Sequence, residues 1–196
     1  MLFTGPDDEE LIDDVLNGDT SAFSGLVVRH QRKVLGFSFS MLSNRQAAED
    51  AAQDIFVKAF TSLPGFRRGS SFSTWLYRIA FNHCSNLRRS SSRSKQQSFD
   101  AMPEDAREKA LRAAAPEPRE PSDAAGISAA AMAELPDTYR AVFALRLEGE
   151  NYAAIAAALE ISEDSVKARL KRARIILRAR LRHLLPDPVS KHTERK

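Results

Sequence analysis

Basic side chains concentrate near the C-terminus of the 196-residue chain, where they could bind a polyanion. The segment from Ser165 to Leu185 has eight Lys or Arg residues and no Asp or Glu. Apolar residues lie between them at helical offsets of three or four, at Val166, Leu170, Ala173 and Leu177. The pattern predicts a helix with one face for a core and one for nucleic acid, although a solvated amphipathic helix gives the same pattern.

A second basic stretch, residues 55–95, has eight basic residues and no acidic one. Its loop Phe66–Ser71 is followed by a predicted helix in which aromatic residues alternate with arginines. Such a surface suits single-stranded nucleic acid, because bases stack on the rings while guanidinium groups bind phosphates. Tyr77 and Phe81 are expected on outer surfaces of this helix, with the alternative that they are only edges of the core. Thr74 and Ser85 are also expected outside, whereas Leu87 is expected inside.

The composition is that of a globular protein, with 43% hydrophobic and 28% charged residues and a net charge of +3. Cys84 is the single cysteine, which excludes an internal disulfide and a cysteine-based metal cluster. The four histidines are not spaced along the chain as metal ligands usually are, so neither a metal nor another cofactor is predicted. No catalytic set or phosphate-binding loop is recognisable, so no enzyme activity is predicted. The acidic N-terminus and the lack of a long apolar run predict a cytoplasmic protein that is not inserted in a membrane.

Helical periodicity predicts an all-α fold. The predicted helices are 7–17, 22–42, 45–63, 72–89, 127–135, 137–147, 152–159 and 163–185. A Ser-rich and then Pro-containing composition separates the two groups of helices. We therefore expect two small helical domains, residues 7–95 and 126–185, joined by a flexible linker at 96–125 and followed by a disordered tail at 186–196.

The last two helices form a helix-turn-helix pattern. The short helix Tyr152–Leu159 leads through the turn Glu160–Ser162 into the basic helix, and a second helix of this kind enters the major groove of duplex DNA. Asn151 and Ser162 are suited to cap the two helices. Helical hairpins are common, but few have such a basic second helix.

Two segments together resemble a known family. The run LPDTYRAVFALRLEGENYAAIAAALEISEDSVKARLKRARIILRARL (135–181) is similar to the promoter-binding C-terminal domain of bacterial RNA polymerase sigma factors. The run AEDAAQDIFVKAFTSLPGFRRGSSFSTWLYRIAFNHCSNLRR (48–89) resembles their N-terminal conserved domain. The order of the segments, the linker and the short length resemble the extracytoplasmic-function branch of the sigma-70 family.

The resemblance implies roles for individual residues. A polar face of the third helix would dock on the clamp-helix coiled coil of core RNA polymerase, through Asp50, Gln53, Asp54 and Val57. Single-stranded DNA of the minus-10 promoter element would bind Phe66, Arg67, Arg68, Tyr77, Arg78, Phe81, Asn82, Arg88 and Arg89. Duplex DNA of the minus-35 element would meet base-contacting residues Lys167, Ala168, Lys171 and Arg172, and phosphate-contacting residues Ser165, Arg169 and Arg174.

This chain departs from the family pattern at the helix-turn-helix. Glu160 stands where the family often has Gly, so it is expected to adopt a strained backbone at a cost of about 1 kcal/mol. Ala154 stands where the family usually has Glu, so Asn151 caps without a reciprocal partner. Ala168 offers only a methyl group for a thymine contact or a close approach.

The expected partners are core RNA polymerase, promoter DNA and an anti-sigma factor, the class of protein that commonly regulates this family. Two other functions fit parts of the pattern. A stand-alone helix-turn-helix regulator would bind duplex DNA without polymerase, but it leaves 66–89 unexplained. A helical adaptor that binds acidic protein or RNA would have no promoter-dependent effect.

Overall fold

The structure, a computed structural model, describes residues 6–100 and 130–184. Within those ranges every regular element is helical, which confirms the all-α prediction. Residues 130–133 are also helical, and short 3₁₀ helices cover Thr20–Ala22 and Leu63–Gly65. The α-helices are α1 Asp8–Leu16, α2 Phe23–Leu42, α3 Arg45–Ser62, α4 Phe72–Asp100, α5 Asp137–Leu147, α6 Tyr152–Leu159 and α7 Glu163–Leu184.

The first domain is built by α1 to α4 around an apolar core. Its fully buried side chains include Leu26, Phe37, Met41, Ile55 and Leu76. Small buried alanines on α3 let that helix lie close to α2 and α4. Burial of this apolar surface is the main force that assembles the domain.

Helix α1 is held on α2 by a carboxylate near its start. Asp8 accepts hydrogen bonds from Arg29 at 2.5 Å and from His30 at 2.8 Å. Partial burial alone would raise the pKa of Asp8, but the hydrogen bonds from His30 and Arg29 outweigh it and hold the pKa below its usual value. Asp7 and Glu10 form a capping box at the same helix end.

Helix α4 begins where the sequence predicts and ends later. Ser71 caps it by accepting a hydrogen bond from the Thr74 backbone N–H at 3.2 Å. The helix continues through residues 96–100, which were assigned to the linker. No Gly or Pro occurs between Gly69 and Pro103, so nothing in the chain forces the helix to stop. The rest of the predicted linker and the predicted tail lie outside the described residues.

The second domain is a helix-turn-helix on α5. Asn151 caps α6 by accepting from the Ala154 N–H at 2.8 Å, and Ser162 caps α7 by accepting from the Ser165 N–H at 3.2 Å, as predicted. Glu160 lies in the left-handed region with φ of 55°, which confirms the expected strain. The predicted apolar stripe of α7 is buried throughout, at Val166, Leu170, Ala173 and Leu177.

The buried face of α5 is not its apolar stripe alone. The helical spacing of Tyr139, Val142, Phe143 and Leu147 predicts that Leu147 faces inward, but Leu147 is 63% exposed, whereas Arg140 is 1% exposed. The reason is that α5 packs against α2 of the first domain as well as α7 of its own, so a second face of α5 is covered. Ala141 and Ala144 are buried, and their small side chains permit this close approach.

The two domains are packed on each other in this structure. Helix α5 contacts α2, and α6 contacts α4. We call this packing the closed arrangement.

Candidate nucleic-acid interface

The outer half of α7 is a continuous cationic surface, which we call the α7 surface. The buried apolar stripe orients the helix so that its basic side chains point away from the core. Among the predicted minus-35 residues, Ser165 and Arg169 are half-buried and the others are exposed, namely Lys167, Ala168, Lys171, Arg172 and Arg174. The structure therefore brings all seven onto the accessible side of one helix, with a geometry suited to a major groove.

One lysine of this surface has an acidic partner at the start of the helix. The Lys167 ammonium lies 3.0 Å from the Asp164 carboxylate. That hydrogen bond and the nearby negative charge raise the pKa of Lys167. Both side chains are more than half exposed, so the pair adds little stability and leaves the ammonium available to DNA.

The loop and helix predicted to bind minus-10 DNA form a second surface, which we call the α4 surface. Arg67, Asn82 and Arg89 are exposed, and Phe81 is half-buried. Phe66 is half-buried against Trp75, with ring centroids 5.1 Å apart.

The loop before α4 is anchored to α1. Arg68 has a positive φ of 54° and donates to the Asp13 carboxylate. That hydrogen bond raises the pKa of Arg68. The loop thus presents Arg67 to solvent while Arg68 is paired.

Tyr77 contradicts the expectation that it lies on an outer surface. It is 3% exposed, and its ring packs edge-on against Phe37 at 5.7 Å. Burial, and then the charges of Glu150 and Glu148, raise the pKa of its hydroxyl far above the ordinary value. The closed arrangement covers the side of α4 that periodicity assigned to solvent.

Three other side chains of α4 were also assigned to the wrong environment. Thr74 and Ser85, expected outside, are 4% and 2% exposed, while Leu87, expected inside, is 39% exposed. A helix covered on more than one side does not follow a single apolar stripe, so periodicity alone misplaces such residues.

Two of the predicted minus-10 arginines are bound to the second domain. Arg78 donates to the Ala157 carbonyl at 2.9 Å and lies 3.2 Å from the Glu160 carboxylate. Arg88 lies 3.1 Å from the Asp137 carboxylate. The structure therefore brings the predicted minus-10 residues onto one helix and loop, but it leaves only part of them accessible.

The predicted polymerase-binding residues lie together on the outer face of α3. Asp50, Gln53, Asp54 and Val57 are all exposed, and Val57 is 62% exposed although it is apolar. Beside them a groove of about 620 Å³ runs between α2 and α3. Its lining is Val27, Gln31, Arg32, Leu35, Glu49, Ala52, Gln53 and Phe56.

A buried histidine of α4 links this face to α4. His83 is 8% exposed, with Nε2 lying 3.4 Å from the Asp54 carboxylate and Nδ1 in contact with the Lys58 ammonium. Burial and the positive charge of Lys58 lower the pKa of His83, so the ring is neutral at pH 7. The partners of His83 depend on how α3 and α4 align, which local sequence patterns do not determine.

Among the described residues, no three His, Cys, Asp or Glu side chains are placed to hold a metal ion. Cys84 is fully buried beside Ser38, and burial raises the pKa of its thiol to about 11. None of the helices in residues 6–100 and 130–184 is both long and apolar enough to span a bilayer.

The fold and the two cationic surfaces define a class of protein, a two-domain helical DNA-binding protein with a C-terminal helix-turn-helix. Family models then identify the two halves. The model described as Sigma-70 region 2 matches residues 26–94, and that described as Sigma-70, region 4 matches residues 129–177.

Individual relatives agree with these matches. The chain is 34% identical to the RNA polymerase sigma-H factor of Pseudomonas aeruginosa strain PAO1, over 95% of this chain and all of that protein. It is 33% identical to the ECF RNA polymerase sigma-E factor of Escherichia coli K12, over 85% and 90% of the two chains. The solved structure of CnrH in complex with the cytosolic domain of CnrY superposes with a TM-score of 0.66 at 26% identity, covering 90% of this chain and 97% of CnrH. The chain belongs to the sigma-70 family of RNA polymerase sigma factors, in its extracytoplasmic-function branch.

Proposed function

We propose that this sigma factor binds core RNA polymerase through α3, recognises the minus-35 element with the α7 surface and captures the melted minus-10 element with the α4 surface. The observation that carries the proposal is the presence of two cationic surfaces on two domains, next to a third, mixed polar and apolar face on α3. One duplex-binding and one strand-binding surface in a single chain match the needs of promoter opening.

The α7 surface supports duplex recognition because its long basic side chains extend from a rigid helix. Lys167, Lys171 and Arg172 could donate to base edges, with Arg favouring guanine O6 and N7. Ser165, Arg169 and Arg174 are assigned to phosphates, which would position the helix in the groove.

The α4 surface supports strand capture because cations and aromatic rings adjoin. Phe66 and Asn82 are assigned to an unstacked base, and Arg67 and Arg89 to phosphates. Tyr77, Arg78 and Arg88 could join them only after the second domain moves, because in the closed arrangement each contacts that domain or is covered by it.

The α3 face supports polymerase docking because it combines exposed polar groups with an apolar groove. Gln53 lies at the edge of the groove, and Val57 adds exposed apolar area. A coiled coil of the polymerase presents helices that could pack in such a groove, which is a common mode of helix recognition.

The domain organisation and the cellular setting complete the proposal. Residues 7–100 and 126–185 act as the two domains, and 101–125 act as a tether that lets them bind elements at a set spacing. The protein works in the cytoplasm, where polymerase and promoter meet, and it catalyses no reaction of its own. An anti-sigma factor regulates it, a proposal supported by the solved complex of the related CnrH with the cytosolic domain of CnrY.

The decisive experiment mixes purified protein, core polymerase and a library of promoter fragments, and sequences the transcripts. We expect initiation at fragments that share two elements at a fixed spacing. A lack of initiation above that of core polymerase alone would reject the proposal. Tight duplex binding without any polymerase-dependent transcript would favour the stand-alone regulator.

The docking face has its own test. Replacing Gln53 and Asp54 together with Ala should weaken polymerase binding about tenfold or more, because residues at the centre of an interface typically contribute 1–2 kcal/mol or more. The matched control is Asp14→Ala with Asn17→Ala, which removes one carboxylate from α1 and one amide from the residue directly after it, both at exposed positions. Equal polymerase affinity for the two double variants in a binding titration would rule out this face.

A further inference from the structure

The outer face of α3, proposed to dock on polymerase, carries two opposite charges one helical turn apart. The Asp54 carboxylate and the Lys58 ammonium are both exposed, at positions i and i+4 of the helix. Side chains at this spacing, with the acid first, ordinarily attract and pair with each other. A direct pair would neutralise Asp54, which is one of the residues assigned to the contact with polymerase.

A buried ring of α4 lies between these two groups. His83 is 8% exposed, and the Lys58 ammonium contacts its Nδ1 atom. The other ring nitrogen, Nε2, lies 3.4 Å from the Asp54 carboxylate. Lys58 is therefore directed at the ring of the neighbouring helix.

The two contacts determine where the ring proton lies. An ammonium group has donors and no acceptor, so Nδ1 must accept from Lys58, and the proton of a neutral ring is then on Nε2. Nε2 is buried and has no hydrogen-bond partner within the described residues, because 3.4 Å is longer than a well-formed hydrogen bond. The ring thus faces Asp54 without holding its carboxylate, and the Asp54 side chain stays 64% exposed.

The protonation state of the ring decides which neighbour it attracts. Burial is the largest cause that lowers the pKa of His83, followed by the positive charge of Lys58, while the negative charge of Asp54 acts in the opposite direction. Among the described residues, Lys58 and Asp54, both on α3, are the charged groups that face the ring. A neutral ring accepts from Lys58, whereas a protonated ring would repel Lys58 and pair with Asp54.

We propose that His83 is a positioning residue for polymerase docking, in which the neutral ring holds Lys58 away from Asp54 and so keeps the Asp54 carboxylate available to a cationic group of the polymerase. The inference rests on the proposed docking role of the α3 face and adds a residue of another helix to it. His83 acts through Asp54, because its own side chain is buried.

Replacing the ring tests this role. His83→Leu leaves Lys58 without its acceptor and should lower the affinity for core polymerase about threefold to fivefold, which is the upper range for one exposed ion pair. His83→Gln keeps an amide that can accept from Lys58 and donate to Asp54, so it should bind polymerase as tightly as the wild type. Binding titrations with the full chain measure both affinities, and urea denaturation shows whether each variant is folded. Equal affinity for the folded Leu and Gln variants would overturn the proposal.

A second substitution separates this role from a loss of packing. In the His83→Leu background, Lys58→Met removes the cation that would pair with Asp54, so it should restore polymerase affinity to within about twofold of the wild type. The matched control, Arg93→Met in the same background, removes an exposed cation from α4 and should restore nothing. The proposal fails if Lys58→Met restores no affinity, or if Arg93→Met restores as much.

The ring itself can be observed by nitrogen-15 NMR of the full chain, with the His83 signals assigned from their loss in His83→Gln. At neutral pH they should show the neutral tautomer with its proton on Nε2. A proton on Nδ1 would mean that Lys58 does not donate to the ring, and the proposal would be wrong. This measurement needs no variant of altered stability.

The pH dependence of docking gives an independent readout. The pKa of His83 is below its ordinary value, so the ring should gain its proton only below about pH 6.5. Polymerase affinity of the wild type should then fall as the pH is lowered, because the protonated ring pairs with Asp54. His83→Gln has no ring to protonate and should lack this part of the fall. Identical pH profiles for the two chains would contradict the proposal.

These outcomes are separable from failure of the docking face. If Gln53→Ala with Asp54→Ala weakens polymerase binding but His83→Leu binds normally, the face is retained and the role of His83 is lost. If the double variant and His83→Leu both bind normally, the face itself is wrong.

Discussion

The α7 and α4 surfaces have similar charge but very different surroundings. Most basic side chains of the α7 surface face solvent, and within the described residues its acidic partners belong to its own domain, such as Asp164 for Lys167. On the α4 surface, Arg78 and Arg88 are bound to the other domain, and Tyr77 is buried against Phe37, near the charges of Glu148 and Glu150. The α7 surface is therefore accessible to a ligand, whereas part of the α4 surface is occupied by the second domain.

The difference follows the form of DNA that each surface is proposed to bind. Duplex DNA is always present, so a rigid exposed helix can bind it at once. Unpaired bases exist only after the duplex melts, so a surface that is covered until then avoids binding other single strands. Any strand that uses Arg78 and Arg88 must therefore displace the carboxylates of the second domain from them.

The largest effect is expected when cations are removed from the exposed α7 surface. Lys171→Ala with Arg172→Ala should weaken binding to duplex minus-35 DNA by about 2–4 kcal/mol, since each base-contacting side chain contributes about 1–3 kcal/mol. Fluorescence anisotropy against salt concentration checks this result, and the salt dependence should also become shallower. Polymerase binding should not change.

A control on the same helix separates specific contacts from charge. Arg178 is exposed and basic but belongs to no predicted DNA contact. Arg178→Ala should lower duplex affinity by much less than the double variant. If it lowers affinity equally, the α7 surface is a general cationic face and the residue assignments on it are wrong.

A smaller effect is expected when Arg140, the buried residue that joins the two domains, is replaced. Arg140→Met removes the donors to three carbonyls, of which those of Ala133 and Leu135 lie in the second domain. Leaving such groups unpaired should lower the free energy of unfolding by about 2 kcal/mol, measured by urea denaturation. Arg140→Lys keeps the charge but not the planar set of donors, so it should lose less. An unchanged midpoint for both variants would show that Arg140 does not hold the domains together.

Much of the fold was predictable because its signals are local. Helix ends followed from caps such as Asn151 and Ser162, and the buried side of α7 followed from its apolar stripe. Each of these features depends on residues close together in sequence.

The closed arrangement was not predictable in the same way. Arg140 looks like an ordinary surface residue of α5, and its burial depends on a carbonyl of α2 that is 99 positions away. Tyr77 follows a pattern that could place it on a surface or at a core edge, and only the contact of α6 with α4 decides between them. Apolar periodicity locates the buried face of a helix that packs against one neighbour. It does not locate a further face of the same helix that is buried by another domain.

The smallest predicted effect concerns Glu160, where strain and charge coincide. Its positive φ costs about 1–2 kcal/mol, which Gly would relieve, but Gly also loses about 0.5–1 kcal/mol more conformational entropy on folding. The pair with Arg78 is largely exposed, so its loss subtracts only a few tenths of a kcal/mol. Glu160→Gly should therefore change the free energy of unfolding by less than about 1 kcal/mol in a urea titration while it frees Arg78. Glu160→Gln keeps the strain and removes only the charge. If both variants bind single-stranded DNA more tightly than the wild type and to the same extent, the charge of Glu160 holds the α4 surface closed. If only Glu160→Gly binds more tightly, the backbone shape of the turn holds it closed.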